Sequence, residues 1–128
     1  MSFDGALKAK SYFFAIRIVR LSNYLKKTYK EYDLSRQVIR SGTAVGASIR
    51  EAEHAESHRD FVHKLNIGLK EINETIYWLD VLFETNFLSK NMHDSIRADA
   101  VEILRMLIAS VKTAKTKGLH AEQLSSII

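Results

Sequence analysis

The stretch Leu34–Phe83, LSRQVIRSGTAVGASIREAEHAESHRDFVHKLNIGLKEINETIYWLDVLF, decides the fold. Its first part sets Leu34, Val38, Ser41, Val45, Ile49 and Ala52 at steps of four and three, which is one face of an α-helix. Its second part repeats the pattern with larger residues: Phe61, Leu65, Leu69, Ile72, Ile76, Leu79 and Phe83. Between them Ser57-His58-Arg59-Asp60 reads as a capping box, with Ser57 capping the next helix and Asp60 reaching back to the Ser57 N–H. The corner therefore lies near Glu53 to Ser57. Two amphipathic helices joined by a tight corner predict an αα-hairpin, which the remaining segments cover.

The run Ser41-Gly42-Thr43-Ala44-Val45-Gly46-Ala47-Ser48 is unusual inside a helix. Each glycine costs about 1 kcal/mol against alanine there. Close approach of another helix backbone, within the subunit or across an interface, would offset that cost. A phosphate-cradling loop is the rival, but no Lys-Ser/Thr pair follows and no strand precedes. Close packing is the reading kept.

Working outward, a first helix is predicted from Gly5 to Tyr29, with Leu7, Phe14, Ile18, Leu21, Leu25 and Tyr29 on one stripe. Asp33 or Ser35 is the expected cap of the second helix. The third runs to Glu84 or Thr85, and its segment Ile76–Phe83 carries a single charge. A helix apolar nearly all round is buried nearly all round, so Tyr77, Trp78, Val81 and Leu82 are expected at a subunit interface. A fourth helix, capped by Ser89 or Asn91, is predicted from Met92 to Lys117 with Ile96, Ala100, Ile103, Leu107, Val111 and Ala114 inward. Gly118 is placed to end it. The expectation is an all-α, up-down-up-down four-helix bundle over residues 1–118, with 119–128 as a C-terminal tail ending in Ile127-Ile128.

The composition agrees. A chain of 128 residues makes one domain with a real core. Proline is absent and glycine occurs only 5 times, which favours long helices. With no cysteine there is no disulfide framework, thiolate metal site or cysteine nucleophile, and a reducing cytoplasm is the expected setting. The apolar run Tyr12–Ile16 is cut short by Arg17 and Arg20, whereas a membrane span needs roughly 18 apolar residues. A soluble, unprocessed protein with no membrane contact is expected.

The net charge of +4 is unevenly spread. Residues 1–30 hold Lys8, Lys10, Arg17, Arg20, Lys26, Lys27 and Lys30 against the single acid Asp4, while the middle is acidic from Glu51 to Glu84. Lys10, Arg17, Arg20 and Lys27 lie beside the apolar stripe of the first helix, interleaved with Phe13 and Tyr24. Cations neutralise phosphates and rings stack on bases, so this pattern suits nucleic acid. It equally suits a widened core stripe or subunit contact beside solvated, snorkelling cations. Arg36, Arg40 and Arg50 form a second basic group on the second helix, which nucleic acid or the acids of the third helix can engage.

Other chemistry fares poorly. A di-iron bundle needs carboxylates on all helices and two Glu-x-x-His pairs. Glu51-Ala52-Glu53-His54 is one, and Asp60-Phe61-Val62-His63 resembles a second, but both flank the corner. His54 and His58 are separated by the cap at Ser57, which argues against a helical zinc pair. Glu71 and Glu74, an i,i+3 pair, suit a bound cation or ion pairs with Lys70, Arg36 or Arg40. Salt bridges between the second and third helices or between subunits are the favoured reading. No serine sits in a nucleophile elbow. Neither an enzyme signature, a metal site nor a cofactor is expected.

The central stretch resembles the small bacterial four-helix bundle proteins called 23S rRNA intervening-sequence proteins. The resemblance rests on Gln37, Arg40-Ser41, the small residues Gly42 to Ser48, Ile49, Glu51 and Phe61, with Lys64–Leu79 especially close to one branch. It extends over nearly the whole chain, and only Leu34–Phe83 is specific. The common pattern has Ser-Ile where Ala44-Val45 stands, asparagine at Ser48, and Glu-Gly at Glu51-Ala52; the changes stay small or apolar. The resemblance implies a bundle of unassigned biochemical role. Related accessory proteins of diversity-generating retroelements form homopentameric barrels whose basic surfaces engage a reverse transcriptase and nucleic acid. It thus implies a ring- or barrel-shaped homo-oligomer, a pentamer by that analogy.

The expectation is a non-enzymatic homo-oligomer binding RNA or DNA through Lys10, Arg17, Arg20 and Lys27, with Arg36, Arg40 and Arg50 as the second group. The alternative is an adaptor whose basic face docks an enzyme such as a reverse transcriptase.

Overall fold

The computed structural model describes residues 5–127; Asp4 and the terminal Ile128 lie outside the described residues. The elements are α1 (Gly5–Tyr29), α2 (Asp33–Glu53), α3 (His58–Glu84) and α4 (Lys90–Ile127). Side-chain pairs fix their directions. Lys8 meets Glu53 and Ser22 meets Ser35, so α1 and α2 are antiparallel. Glu51 meets Lys64 and Ser41 meets Thr75 across α2 and α3, and Asp80 meets Arg97 across α3 and α4. Lys10–Glu102 and Arg17–Asp99 close α4 against α1, the thinnest of the seams. This is an up-down-up-down four-helix bundle.

The inward stripes read from periodicity make the core. Leu7, Phe14, Ile18 and Leu25 of α1 meet Val38, Val45 and Ile49 of α2, Leu65, Ile72 and Leu79 of α3, and Ile103 and Leu107 of α4, all within 1% of full burial. Each such side chain contributes about 1.5–3 kcal/mol relative to exposure. Tyr29 departs from its stripe: it stays 45% exposed because the helix ends there.

The two glycines of α2 sit where the first helix comes closest. A Cβ at Gly42 would lie 2.8 Å from Ile18 Cγ1, and one at Gly46 would lie 3.3 Å from the Ser11 backbone oxygen. The helix-propensity cost is offset by close packing inside the subunit. Small hydroxyls pair elsewhere along the α2 seams. Ser22 and Ser35 Oγ are 2.6 Å apart, and the Thr75 hydroxyl donates to Ser41 Oγ at 2.9 Å. Among the described residues no buried side-chain polar atom lacks a partner, which removes the usual penalty for buried hydroxyls.

The helix ends differ in detail from expectation. Neither Asp33 nor Ser35 caps α2: Asp33 already lies in the helix, and Glu31 Oε1 accepts from the Leu34 and Ser35 N–H groups at 2.6 and 3.2 Å. A longer side chain upstream does the work of a short cap. Ser57 caps α3 by accepting from Asp60 N–H at 3.0 Å, while the Asp60 carboxylate takes the Glu56 N–H at 3.2 Å, one residue before the one expected. Ser89 caps α4 by accepting from Met92 N–H.

Gly118 does not end α4, which continues to Ile127. The missing Cβ instead makes room for His58, whose ring would lie 3.1 Å from it and whose Nε2 is 2.6 Å from the Ala114 oxygen. Beyond this notch Leu119 and Leu124 are exposed.

Two helices end in left-handed residues. Lys30 (φ 53°) follows α1, with Glu31 N–H donating to Leu25 O at 3.2 Å; Asn86 (φ 70°) follows α3, with Phe87 N–H donating to Leu82 O at 2.9 Å. Both are Schellman-type ends, which glycine or asparagine usually occupies. Lysine there gives up roughly 1–2 kcal/mol of backbone comfort.

At that same end His93 joins α3 to α4. Its ring stacks on Phe83 with centroids 4.4 Å apart, and its Nε2 lies 2.8 Å from Asp80 Oδ1. Arg97 Nε donates to the same oxygen at 3.0 Å. Burial alone would push the Asp80 carboxyl up, but hydrogen bonds from His93 and Arg97, with the Arg97 charge, hold it below its ordinary value. A carboxylate depressed in the folded state adds stability above its unfolded pKa and loses it as pH falls through the folded one. Asp80→Asn is therefore expected to lower stability near neutral pH, with the gap to the parent narrowing as pH falls below the carboxylate range. Urea unfolding across a pH series measures that gap; a constant gap would show that ionisation of Asp80 contributes nothing.

Candidate nucleic-acid interface

The cations named from sequence divide once their surroundings are known. Lys10 Nζ lies 2.8 Å from Glu102, and that hydrogen bond with its charge attraction raises the Lys10 pKa above its ordinary value. Arg17 spans the α1–α4 seam, 2.6 Å from Asp99 Oδ2 and 2.9 Å from Ser95 Oγ. Arg40 bridges α2 to α3 through Glu71 at 3.2 Å and through Glu74. These three tie helices together. Among the described residues Arg36 pairs only with its exposed helical neighbour Asp33 at 3.7 Å, and the Arg50 guanidinium sits 5.7 Å from the Tyr12 ring centroid.

Arg20 and Lys27 stand apart. Both are exposed on α1, seven residues and thus about two turns apart, on the side turned away from Ile18. Among the described residues no ion pair engages either of them. Phe13 (64% exposed), Tyr12 and Val19 share the outer surface of α1. The structure thus keeps part of the interleaved basic-aromatic surface and takes Lys10 and Arg17 into structural pairs.

One end of this surface holds residues that helical-face counting passes over. Lys26 and Lys30 are exposed and unpaired among the described residues, and Tyr29 and Tyr32 are 45% and 54% exposed. The signal is in the sequence, YLKKTYKEY over residues 24–32. It spans a helix end, where no single face is defined. Tyr24, Tyr29 and Phe87 meet edge to face, at 6.0 and 5.2 Å. A hydrogen bond with Tyr29 raises the Tyr24 phenol above its ordinary pKa.

The expected interface residues also divide. Tyr77 is 59% exposed and meets Trp78 edge to face at 5.0 Å. Trp78 and Val81 are half-buried, and Trp78 Nε1 donates to Glu74 at 3.3 Å. Leu82 is a correction: it is wholly buried in the core of its own chain, so its apolar side chain calls for no neighbour. At the opposite corner Arg50, Glu51, His54, Glu56, Asp60 and Lys64 line an open cleft of mixed charge. Among the described residues no group of three or more His, Cys, Asp or Glu converges as a metal site.

The sequence matches the family of 23S rRNA-intervening sequence proteins over residues 6–109. The chain belongs to this family. It is also similar to a solved protein of unknown function from the S23 ribosomal protein family of Bacteroides thetaiotaomicron. The two are 49% identical with a TM-score of 0.82, covering 83% of this chain and 98% of that one. None of the curated proteins matches the chain. The family match ends at residue 109 whereas α4 runs to Ile127, so the end of α4 lies outside it. The basic-aromatic end of α1 and the corner after it lie inside. No helix among the described residues is long and apolar enough to cross a membrane.

Proposed function

We propose that this member of the 23S rRNA-intervening sequence protein family is a non-enzymatic, self-associating bundle that binds nucleic acid in the cytoplasm. The observation that carries the reading is the outer surface of α1. Arg20 and Lys27 have no acid partner among the described residues and stand beside exposed rings on a chain of net charge +4. Cations already paired to acids must break those pairs to meet phosphate; these need not. Self-association is supported by the apolar surface the bundle leaves uncovered. Tyr77 of α3 and Ile108, Leu119 and Leu124 of α4 are all more than a third exposed. A closed ring, a pentamer by analogy with the barrel-forming relatives, is the proposed assembly.

Light scattering of the purified protein, alone and with a mixed RNA and DNA pool at low and moderate salt, tests both parts. The expected particle is several times the 14.6 kDa chain and grows with nucleic acid only at low salt. A 14.6 kDa monomer indifferent to nucleic acid removes both parts of the reading.

A further inference from the structure

The α1–α2 corner carries a feature that a merely structural turn does not need. Lys30 occupies a left-handed backbone position, φ 53°, at the end of α1. Glycine fits such a position best, and the equivalent place after α3 holds asparagine, the next most tolerant residue. The lysine is exposed, and no ion pair engages it among the described residues, so its charge is open to a ligand. Around it in sequence stand Lys26, Lys27 and Arg36, with Tyr29 and Tyr32 between them.

The acids nearby are weak competitors. Glu31 is occupied by the Leu34 and Ser35 N–H groups, and Asp33 reaches Arg36 only at 3.7 Å while 91% exposed. Glu84, at the adjacent end of α3, is exposed to solvent. The two tyrosines differ in a useful way. Tyr29 is braced edge-on by Tyr24 and Phe87, whereas Tyr32 is 54% exposed and no aromatic ring contacts it among the described residues. A free ring beside clustered cations meets both parts of an unpaired nucleotide, its base face and its phosphate. A duplex hides its base faces and would use the cations alone.

We infer that this corner binds single-stranded nucleic acid, with an unpaired base stacked on Tyr32 and the flanking phosphates held by Lys26, Lys27, Lys30 and Arg36. This rests on the proposed nucleic-acid function and adds the strand class and the binding residues. The shared chemistry is an unpaired base with its phosphate, from RNA or from DNA.

The test is fluorescence anisotropy of the full chain with labelled oligouridine, oligothymidine and a duplex of the same length, at low salt and in a salt series. The parent is expected to bind at least one single strand more tightly than the duplex. Tyr32→Ala is expected to weaken single-strand binding by about fivefold to a hundredfold and leave the duplex unchanged. Tyr32→Phe, which keeps the ring, is expected to bind as the parent does. Lys30→Gly is expected to lower the slope of log affinity against log salt by about 0.7, the amount due to neutralising one phosphate of a single strand. Its melting temperature is expected to stay level or rise, because glycine relieves the backbone; that separates a binding loss from misfolding.

Parent affinity for single strands in both Tyr32→Ala and Lys30→Gly, with loss in Arg20→Glu, would overturn the corner and leave the nucleic-acid function standing. So would a Tyr32→Ala chain that loses self-association yet binds normally, since the ring would then serve a protein contact. No binding of any oligonucleotide by the parent at low salt would overturn this inference and the proposed function together.

Discussion

Gly42→Ala is expected to destabilise the bundle by about 1–3 kcal/mol, the usual cost of overpacking, although alanine is the better helix former by about 1 kcal/mol. The added Cβ would lie 2.8 Å from both Cγ1 and Cγ2 of Ile18 and 3.2 Å from its Cβ. Ile18 is fully buried, and the branch at its own Cβ leaves it few rotamers to retreat into. The helices must therefore separate, which loosens buried Val45 one turn along α2 and strains the Ser22–Ser35 hydroxyl pair farther along the same α1–α2 seam. Gly46→Ala should cost less, because its nearest contact is 3.3 Å, although that contact is backbone. A double-mutant cycle isolates the cause. Ile18→Ala removes both γ carbons, so Gly42→Ala made in that background should be far milder, with a coupling of about 1 kcal/mol or more. Urea unfolding of the four chains measures it. Equal costs in both backgrounds would mean that the small residues of α2 are not there for the approach of α1.

How much of this was legible depends on the range of the interaction. The stripes of α2 and α3 follow from a helical period that acts within a few residues, and Val38, Val45, Leu65 and Leu79 are buried as their spacing requires. Gly42 and Gly46 signal close packing from composition alone, since nothing local offsets their cost. The partner was not legible: that the approaching helix is α1, through Ser11 and Ile18, is a tertiary fact. Gly118 misleads for the same reason. As local signals, glycine, three nearby lysines and the end of the apolar stripe all read as a helix terminus, yet the glycine serves His58, 60 positions earlier in the chain. Leu82 misleads because a segment apolar all round need not reach another subunit when one of its sides faces the core of its own chain.

The candidate site shows the same limit more sharply. Lys10, Arg17, Arg20 and Lys27 are alike as letters, and all lie to one side of the α1 stripe. What separates them is the position of Asp99 and Glu102 on α4, more than 80 residues away in sequence. Glu71 and Glu74 were readable as partners of α2 because both helices belong to one hairpin.

Reversing Arg20 and Lys27 together is expected to separate binding from folding. The double change to glutamate removes two positive and adds two negative charges, so the net charge falls from +4 to 0. Neither residue has an ion pair to lose among the described residues, and both are exposed, so stability should change by less than about 0.5 kcal/mol. Affinity for nucleic acid at low salt should fall on the order of tenfold or more, and the salt slope should flatten by about 0.7 to 0.9 for each phosphate that is no longer neutralised. Arg17→Ala is the counterpart. It breaks the hydrogen bonds to Asp99 and Ser95 that help to hold the thinnest seam, and both partners are about a third or more exposed. Its cost should be about 0.2–1 kcal/mol of stability with little change in the salt slope. Thermal melts and anisotropy titrations on the same preparations give both readings. Binding lost through Arg17→Ala but kept through the Arg20→Glu/Lys27→Glu chain would move the site to the α1–α4 seam. In that event Asp99 and Glu102 would be counter-ions that nucleic acid displaces, rather than the partners that complete the bundle.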